Sequence, residues 1–380
     1  MNRKQRRAQA KPKVRQPADP AALYEAGIQA WQRNELARAA DLIGQAIAGS
    51  SPVADLHYNL AIVLKAMGNL EQAAAQYERA IALKPDHVNA HNNLGNVWKA
   101  LGHSDRARAS FARALELHPG NADTHYSLGL LARDLGATEE AARHLRRCLN
   151  CDPDDGRGAR ILLAHLGAAD APERTPSAQL QSLYQARARI WDQEQSYFAP
   201  ALVAEAFRRH APSGAQRILD MGCGTGLVAD RLGPPAGSMD GVDLSAAMLE
   251  KARAKGLYGR LFQADIGSFL ADQEDRYDAI LAAAVLIHFG NLRPLVEAAA
   301  RSLRAQGLFV FTLFPGEAGH DYAVAASGPL AQSGCFRHDA AYVERLTAET
   351  GFSLLELKTV VHEHDQDNRP VPGLLVVLRR

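Results

Sequence analysis

The first half of the chain repeats itself every 34 residues, and this period limits the possible folds more than any other feature. Gly27, Ala61, Gly95 and Gly129 are one period apart, as are Ala39, Ala73, Ala107 and Ala141. Ala46, Ala80, Ala114 and Cys148 keep the same step, and so do Gly68, Gly102 and Gly136, and Pro85, Pro119 and Pro153. One residue inserted before Pro52 closes the first repeat. Each period reads as two amphipathic helices, for example HYNLAIVLKAMG followed by LEQAAAQYERAIALKP. Apolar residues recur at three- and four-residue spacing and give each helix one apolar stripe. Small residues let paired helices approach closely, glycine permits the turn between them, and proline ends the second. No unit can bury its stripe alone, so neighbours must stack into a solenoid.

This pattern resembles the tetratricopeptide repeat. Four units run from Asp19 to Pro153, and 156–166 reads as a capping helix, which completes a repeat region over 19–168. Such stacks present a concave groove, so a protein or peptide partner is expected there. His57, His91 and His125 recur near the start of each first helix. Either they line the groove as a polar ladder or they fill a tolerant position on the helix surface.

At 380 residues the chain needs more than one core. With 47% hydrophobic and 22% charged residues it has the profile of a soluble globular protein. The net charge of +1 supplies no global field toward nucleic acid or anionic membranes. No apolar run reaches membrane-spanning length. Residues 1–18 are basic with no apolar segment after them, which reads as a disordered tail rather than a secretory signal; the sharper alternative is a contact with RNA, a ribosome or an anionic surface. The expectation is a cytoplasmic protein with no membrane partner and no nucleic acid. Cys148 and Cys151 form a C-x-x-C. No second pair completes a zinc site, so packing is the expected role and no metal is expected.

Residues 169–177 are rich in proline and polar side chains and read as a linker. From 178 onward, helices precede an alternation of strands and helices, the pattern of a mostly parallel sheet covered on both faces. The strand RILDM runs into Asp220-Met221-Gly222-Cys223-Gly224-Thr225-Gly226. Leu227 sits where a dinucleotide fingerprint needs its last glycine, so the turn is not of that type. The strand MDGVD ends at Asp243, where a carboxylate can accept both hydroxyls of a ribose. Ser245 is placed to cap the next helix. LFQAD ends at Asp265, and YDAILAAAVLIHF leads from a strand into a loop ending at His288.

The D-x-G-x-G-x-G turn and these spaced carboxylates resemble the class I S-adenosylmethionine-dependent methyltransferases, and the whole chain is similar to the bacterial group with N-terminal tetratricopeptide repeats. The implied fold is an all-helical solenoid (α) followed by a Rossmann-like, seven-stranded α/β domain over 178–380. The implied cofactor is S-adenosyl-L-methionine. The resemblance assigns its binding to Asp220, Gly222, Cys223, Gly224, Gly226, Asp243, Leu244, Met248, Asp265, Ile266, Ala282 and Ala283. Asp220 would sit near the cofactor's ammonium, and Asp265 would face the adenine amino group. YQARARIWD resembles the segment that covers the cofactor, with Tyr184 and Trp191 as lid residues; the alternative is plain helix packing. Ala305-Gln306-Gly307 departs from the family's Pro-Gly-Gly turn before the fifth strand.

Methyl transfer needs alignment above all, and an oxygen or carbon acceptor also needs a base. His288 is the candidate, as catalytic base or as a shaper of the pocket. The loop lacks the Asn/Asp-Pro-Pro-Tyr signature of enzymes that methylate planar amines. A small-molecule oxygen, carbon or carboxylate acceptor is therefore expected, with the repeats as a protein-interaction module. The alternatives are a protein methyltransferase whose repeats recruit the substrate, and an adaptor that binds cofactor with weak catalysis. In the insert before the sixth strand, His320, Tyr322, Arg337 and His338 are candidate substrate contacts, with surface-loop residues as the alternative.

Overall fold

The computed structural model describes residues 19–188, 191–193, 196–211, 214–233, 237–325, 333–365 and 367–380. The basic tail read over 1–18 lies outside the described residues. The chain divides into two compact units, Met1–Cys151 and Asp152–Arg380.

The first unit is four helix pairs: α1 (Pro20–Gln32) with α2 (Leu36–Gly49), α3 (Ala54–Ala66) with α4 (Leu70–Leu83), α5 (Val88–Ala100) with α6 (Ser104–Leu117), and α7 (Ala122–Asp134) with α8 (Thr138–Cys151). The turn inside each pair holds one residue with positive φ: Asn34 (63°), Gly68 (81°), Gly102 (79°) and Gly136 (75°). Asparagine tolerates this left-handed region better than other side chains, so Asn34 keeps the 34-residue step where glycine is missing. The small positions are set by close contact. A Cβ built on Gly95 would come within 2.5 Å of the Phe111 ring. Cys148 is buried at its small position and Cys151 is exposed.

The recurrent histidines prove structural. Nε2 of His91 donates to the Pro85 carbonyl at 3.0 Å, and Nε2 of His125 donates to the Pro119 carbonyl at 3.0 Å. Both rings are buried, so each ties its helix to the proline that ends the preceding repeat. The extra residue in the first repeat puts Ser51 at the matching spacing, and His57 pairs instead with Gln76 at 2.7 Å.

The second unit begins earlier than the proline-rich segment suggested. Helix α9 (Ala159–His165), expected to cap the repeats, belongs to it. His165 donates to the Ala325 carbonyl at 2.8 Å. Helix α10 (Ser177–Arg187), a short 3-10 turn (Trp191–Gln193) and α11 (Ala199–His210) follow.

The main sheet joins β3 (Arg260–Gln263), β2 (Ser238–Asp243), β1 (Arg217–Met221), β4 (Tyr277–Ala282), β5 (Leu303–Pro315), β9 (Pro370–Arg379) and β8 (Ser353–His364), in that order. The first five are parallel, and β9 runs antiparallel to both neighbours. This is the expected seven-stranded sheet. A two-stranded ribbon, β6 (Tyr322–Val324) and β7 (Phe336–His338), extends from the end of β5. Alternate side chains serve two cores. Leu219, Ile280 and Phe309 face one, with Leu270, Val296 and Leu346 from the covering helices. Ile218, Leu281 and Val310 face the other, with Val203 and Val228. Burial on both faces is what a parallel sheet requires. The chain leaves β1 toward β2 on one side and returns at β4 on the other, which opens a crevice at the carboxyl ends of these strands.

Candidate cofactor and acceptor site

The crevice is a cavity lined by Gly222, Cys223 and Gly224 after β1, Asp243, Leu244 and Met248 after β2, Asp265 and Ile266 after β3, and Ala283 and His288 after β4. Tyr184 and Trp191 close its other side. Twelve of the fifteen residues assigned from sequence to the cofactor, the lid and the catalytic base thus meet in one place. The other three, Asp220, Gly226 and Ala282, do not line the cavity. Ala282 is fully buried within β4. Gly226 turns toward Tyr258. Asp220 lies behind the glycine turn, 1% exposed.

The turn depends on its glycines, which adopt positive φ without strain. Gly222 has φ +69°, and a Cβ there would meet Val285 Cγ2 at 2.4 Å. The wall after β4 therefore presses directly on the backbone of the turn. Asp243 fixes the turn from below. One carboxylate oxygen accepts the Gly224 amide at 2.9 Å and the other accepts the Ser245 amide at 2.8 Å. Burial raises its pKa, while the bonded amides favour the ionised form. Ser245 caps the following helix by accepting the Met248 amide at 3.4 Å.

Asp220 accepts a hydrogen bond from the Tyr258 hydroxyl at 2.6 Å. Its other oxygen is buried with no partner among the described residues. Burial pushes its carboxyl up to about 7, aided by the charge of Asp243 and opposed by the Tyr258 bond. A buried acceptor without a donor is costly to leave unmet. Asp243 and Asp265, at neighbouring strand ends on the cavity wall, fit a ribose and an amino-substituted base. The residues present therefore suit an adenosyl sulfonium cofactor.

On the same cavity wall, Tyr184 Oη lies 2.7 Å from Nε2 of His288. Burial drives the His288 pKa down to about 3, with Arg187 and Arg174 adding repulsion. Rings chain from His288 through Tyr184 to Trp191 and Tyr197 at 5.7, 5.6 and 5.6 Å between centroids. Asp192, next to Trp191, accepts from the Thr225 hydroxyl and pairs with Lys255 at 3.3 Å. These contacts tie the 3-10 turn to the glycine loop.

The insert residues behave differently from expectation. His338 is fully buried and donates to the Phe289 carbonyl at 2.8 Å, and Tyr322 packs beside Gly290. They brace the loop that carries His288, and His320, Tyr322, Arg337 and His338 are all absent from the cavity lining. Part of the insert, 326–332, lies outside the described residues. Sequence reading missed Arg174, Phe289, Val285 and Tyr258. Arg174 sat in the segment taken for a linker, and the others carry no motif of their own.

Both units have matches among known proteins. Residues 218–307 match the family model described as a methyltransferase domain. Residues 63–102 match one described as a TPR repeat, and 99–156 one described as a tetratricopeptide repeat. The ubiquinone biosynthesis O-methyltransferase of Chelativorans sp. (strain BNC1) is 34% identical over 110 residues, 28% of this chain and 44% of that protein. Methyltransferase-like protein 27 of Homo sapiens is 37% identical over 135 residues, 34% of this chain and 52% of that protein. The chain thus spans about half the length of these curated relatives. A Burkholderia thailandensis 1,6-didemethyltoxoflavin-N1-methyltransferase, solved with 1,6-didemethyltoxoflavin and S-adenosylhomocysteine, superposes with a TM-score of 0.44. It is 19% identical, and the match covers 56% of this chain and 93% of that one.

The second unit thus carries a methyltransferase domain over 218–307, and the first carries tetratricopeptide repeats. No helix among the described residues is long and apolar enough to cross a membrane.

Proposed function

We propose that this chain transfers a methyl group from S-adenosylmethionine to a small-molecule oxygen, carbon or carboxylate acceptor, and that its repeats engage a protein or peptide partner. One observation carries the reading: the glycine turn and the carboxylates after β2 and β3 line a single cavity together with the Tyr184–His288 pair. When bound, the cofactor supplies an activated methyl group on a sulfonium. Asp243 would hold the ribose hydroxyls, Asp265 the adenine amino group, and the backbone at Gly222 and Gly224 would approach the methionine portion.

The protein's own contribution is alignment and exclusion of water, worth about 7–11 kcal/mol when the reacting atoms are held in line. Trp191 and Tyr197 cover the cavity, and the Asp192 contacts hold that cover down. His288 stays neutral at physiological pH and shares the Tyr184 proton at Nε2. An imidazole so hard to protonate is a poor proton store, so its role fits positioning of the Tyr184 hydroxyl against the acceptor. Acceptors that ionise by themselves, carboxylates and acidic phenols, suit this arrangement best.

Calorimetry with S-adenosylmethionine, S-adenosylhomocysteine and NAD tests the cofactor. Binding of the first two without NAD supports the reading, and binding of NAD alone sinks it. Labelled cofactor incubated with fractionated extract then tests the acceptor. Label is expected in small, organic-soluble acids or phenols; label confined to protein would move the assignment to a protein methyltransferase, and no label with tight cofactor binding would leave an adaptor.

A further inference from the structure

We infer that Arg174, from the segment preceding α10, is the residue that makes the site select a 6-amino purine, by holding Asp265 as a fixed hydrogen-bond acceptor. This rests on the methyltransferase reading and adds to it a positioning residue outside every motif.

The backbone around Arg174 is locked. Arg174 and Phe289 form an antiparallel bridge. The Glu173 carbonyl accepts the Gly290 amide at 2.7 Å, and the Thr175 amide donates to the His288 carbonyl at 2.8 Å. The Thr175 hydroxyl donates to the Gly334 carbonyl at 2.6 Å. A strap so pinned delivers the guanidinium to one place. Arg174 Nη2 donates to Asp265 Oδ2 at 2.5 Å and to the Ser177 hydroxyl at 2.9 Å. The guanidinium also lies over the Phe289 ring, 4.8 Å from its centre. Arg174, Asp265 and Phe289 all line the cavity.

The other Asp265 oxygen is held by its own helix, accepting the amides of Gly267 at 3.1 Å and Ser268 at 3.3 Å. The carboxylate is therefore clamped from both sides, with lone pairs left toward the cavity. An ionised carboxylate can only accept, so it rewards an amino group and repels a carbonyl. Asp265 gains this certainty from its partner. Burial works against ionisation, and the Arg174 bond and charge, together with the Ser268 and Gly267 amides, outweigh it and lower the pKa. The other titratable groups on the cavity wall are Cys223, Tyr184, Tyr197, Asp243 and His288, none of them a cation at neutral pH. Arg174 is therefore the cation of the wall, and it is the one bonded to Asp265.

The test is calorimetry on the full chain with S-adenosylhomocysteine and S-inosylhomocysteine, which differ only in a 6-amino against a 6-oxo purine. Wild type is expected to prefer the adenosyl compound. R174A should weaken that compound by roughly ten- to a hundredfold, the worth of a hydrogen bond to a charged group, while leaving the inosyl compound nearly unchanged. In R174A, adenosyl affinity should also fall more steeply than in wild type as pH is lowered from about 7 to about 5, because Asp265 without its cation takes up a proton more readily; the titration of Asp220 and Asp243 is common to both proteins and drops out of the ratio of their affinities. R174K should restore the wild-type profile. R174Q keeps a polar side chain of similar reach and, if R174A fails to fold, carries the same predictions. Equal losses for both nucleosides with no pH dependence beyond that of wild type would make Arg174 a mere staple and overturn the inference. Wild type that binds S-adenosylhomocysteine while R174A discriminates as well also overturns it. Wild type that binds neither compound overturns the methyltransferase reading, and this inference with it.

Discussion

Asp220→Asn should make the methyltransferase unit progressively more resistant to unfolding, relative to wild type, as pH rises. Asp220 is buried, with one oxygen bonded to Tyr258 and the other unpaired. Its carboxyl moves from an ordinary 3.8 to about 7 on folding. The sign follows from linkage. A raised carboxyl pKa stabilises the fold while the group is protonated, and that stabilisation is lost as pH rises toward and through the folded value. At about 1.4 kcal/mol per unit, ionising Asp220 costs the fold about 4 kcal/mol. About 2.5 kcal/mol of this develops between pH 5 and pH 8. Asparagine carries no charge and removes the pH-dependent part, although its amide nitrogen inherits the unmet position at a cost of roughly 1–3 kcal/mol. Urea unfolding should be followed by hydrogen exchange in the β1 and β4 peptides, which reads this unit apart from the repeats. Variant and wild-type midpoints should separate by about 1 M more at pH 8 than at pH 5. A separation that stays constant with pH would refute the assignment of the cost to the Asp220 charge.

Gly222→Ala should reduce S-adenosylhomocysteine affinity at least tenfold in calorimetry, because the left-handed backbone costs about 1–2 kcal/mol and the new methyl collides with Val285. Gln306, at φ +65°, sits where the family's turn has glycine; Gln306→Gly should raise stability by up to about 1 kcal/mol, read as a higher melting temperature. His125→Leu removes the bond to Pro119 and should destabilise the repeats by about 1–2 kcal/mol, with hydrogen exchange accelerating first in α7. Asp192→Ala frees the cover from Thr225 and Lys255; cofactor release measured by stopped flow should quicken by roughly three- to tenfold.

The sequence by itself determined everything that is periodic or local. The 34-residue step fixed four helix pairs because a one-residue error inside a helix would turn its apolar stripe away from its neighbour, whereas the extra residue of the first repeat falls in a connection. The turn after RILDM was legible because a backbone passing that close to a ligand needs glycine. Asp243 and Asp265 were legible because parallel strands must end where the crevice opens. Tertiary structure alone decided what distant segments do to these residues. It set Tyr258 against Asp220, put Arg174 on Asp265 and gave the His288 nitrogen to Tyr184. It also turned His91, His125 and His338 from candidate contacts into braces on backbone carbonyls. A side chain's type states which bonds it can form; only the folded chain decides which partner is within 3 Å and whether water is left to compete.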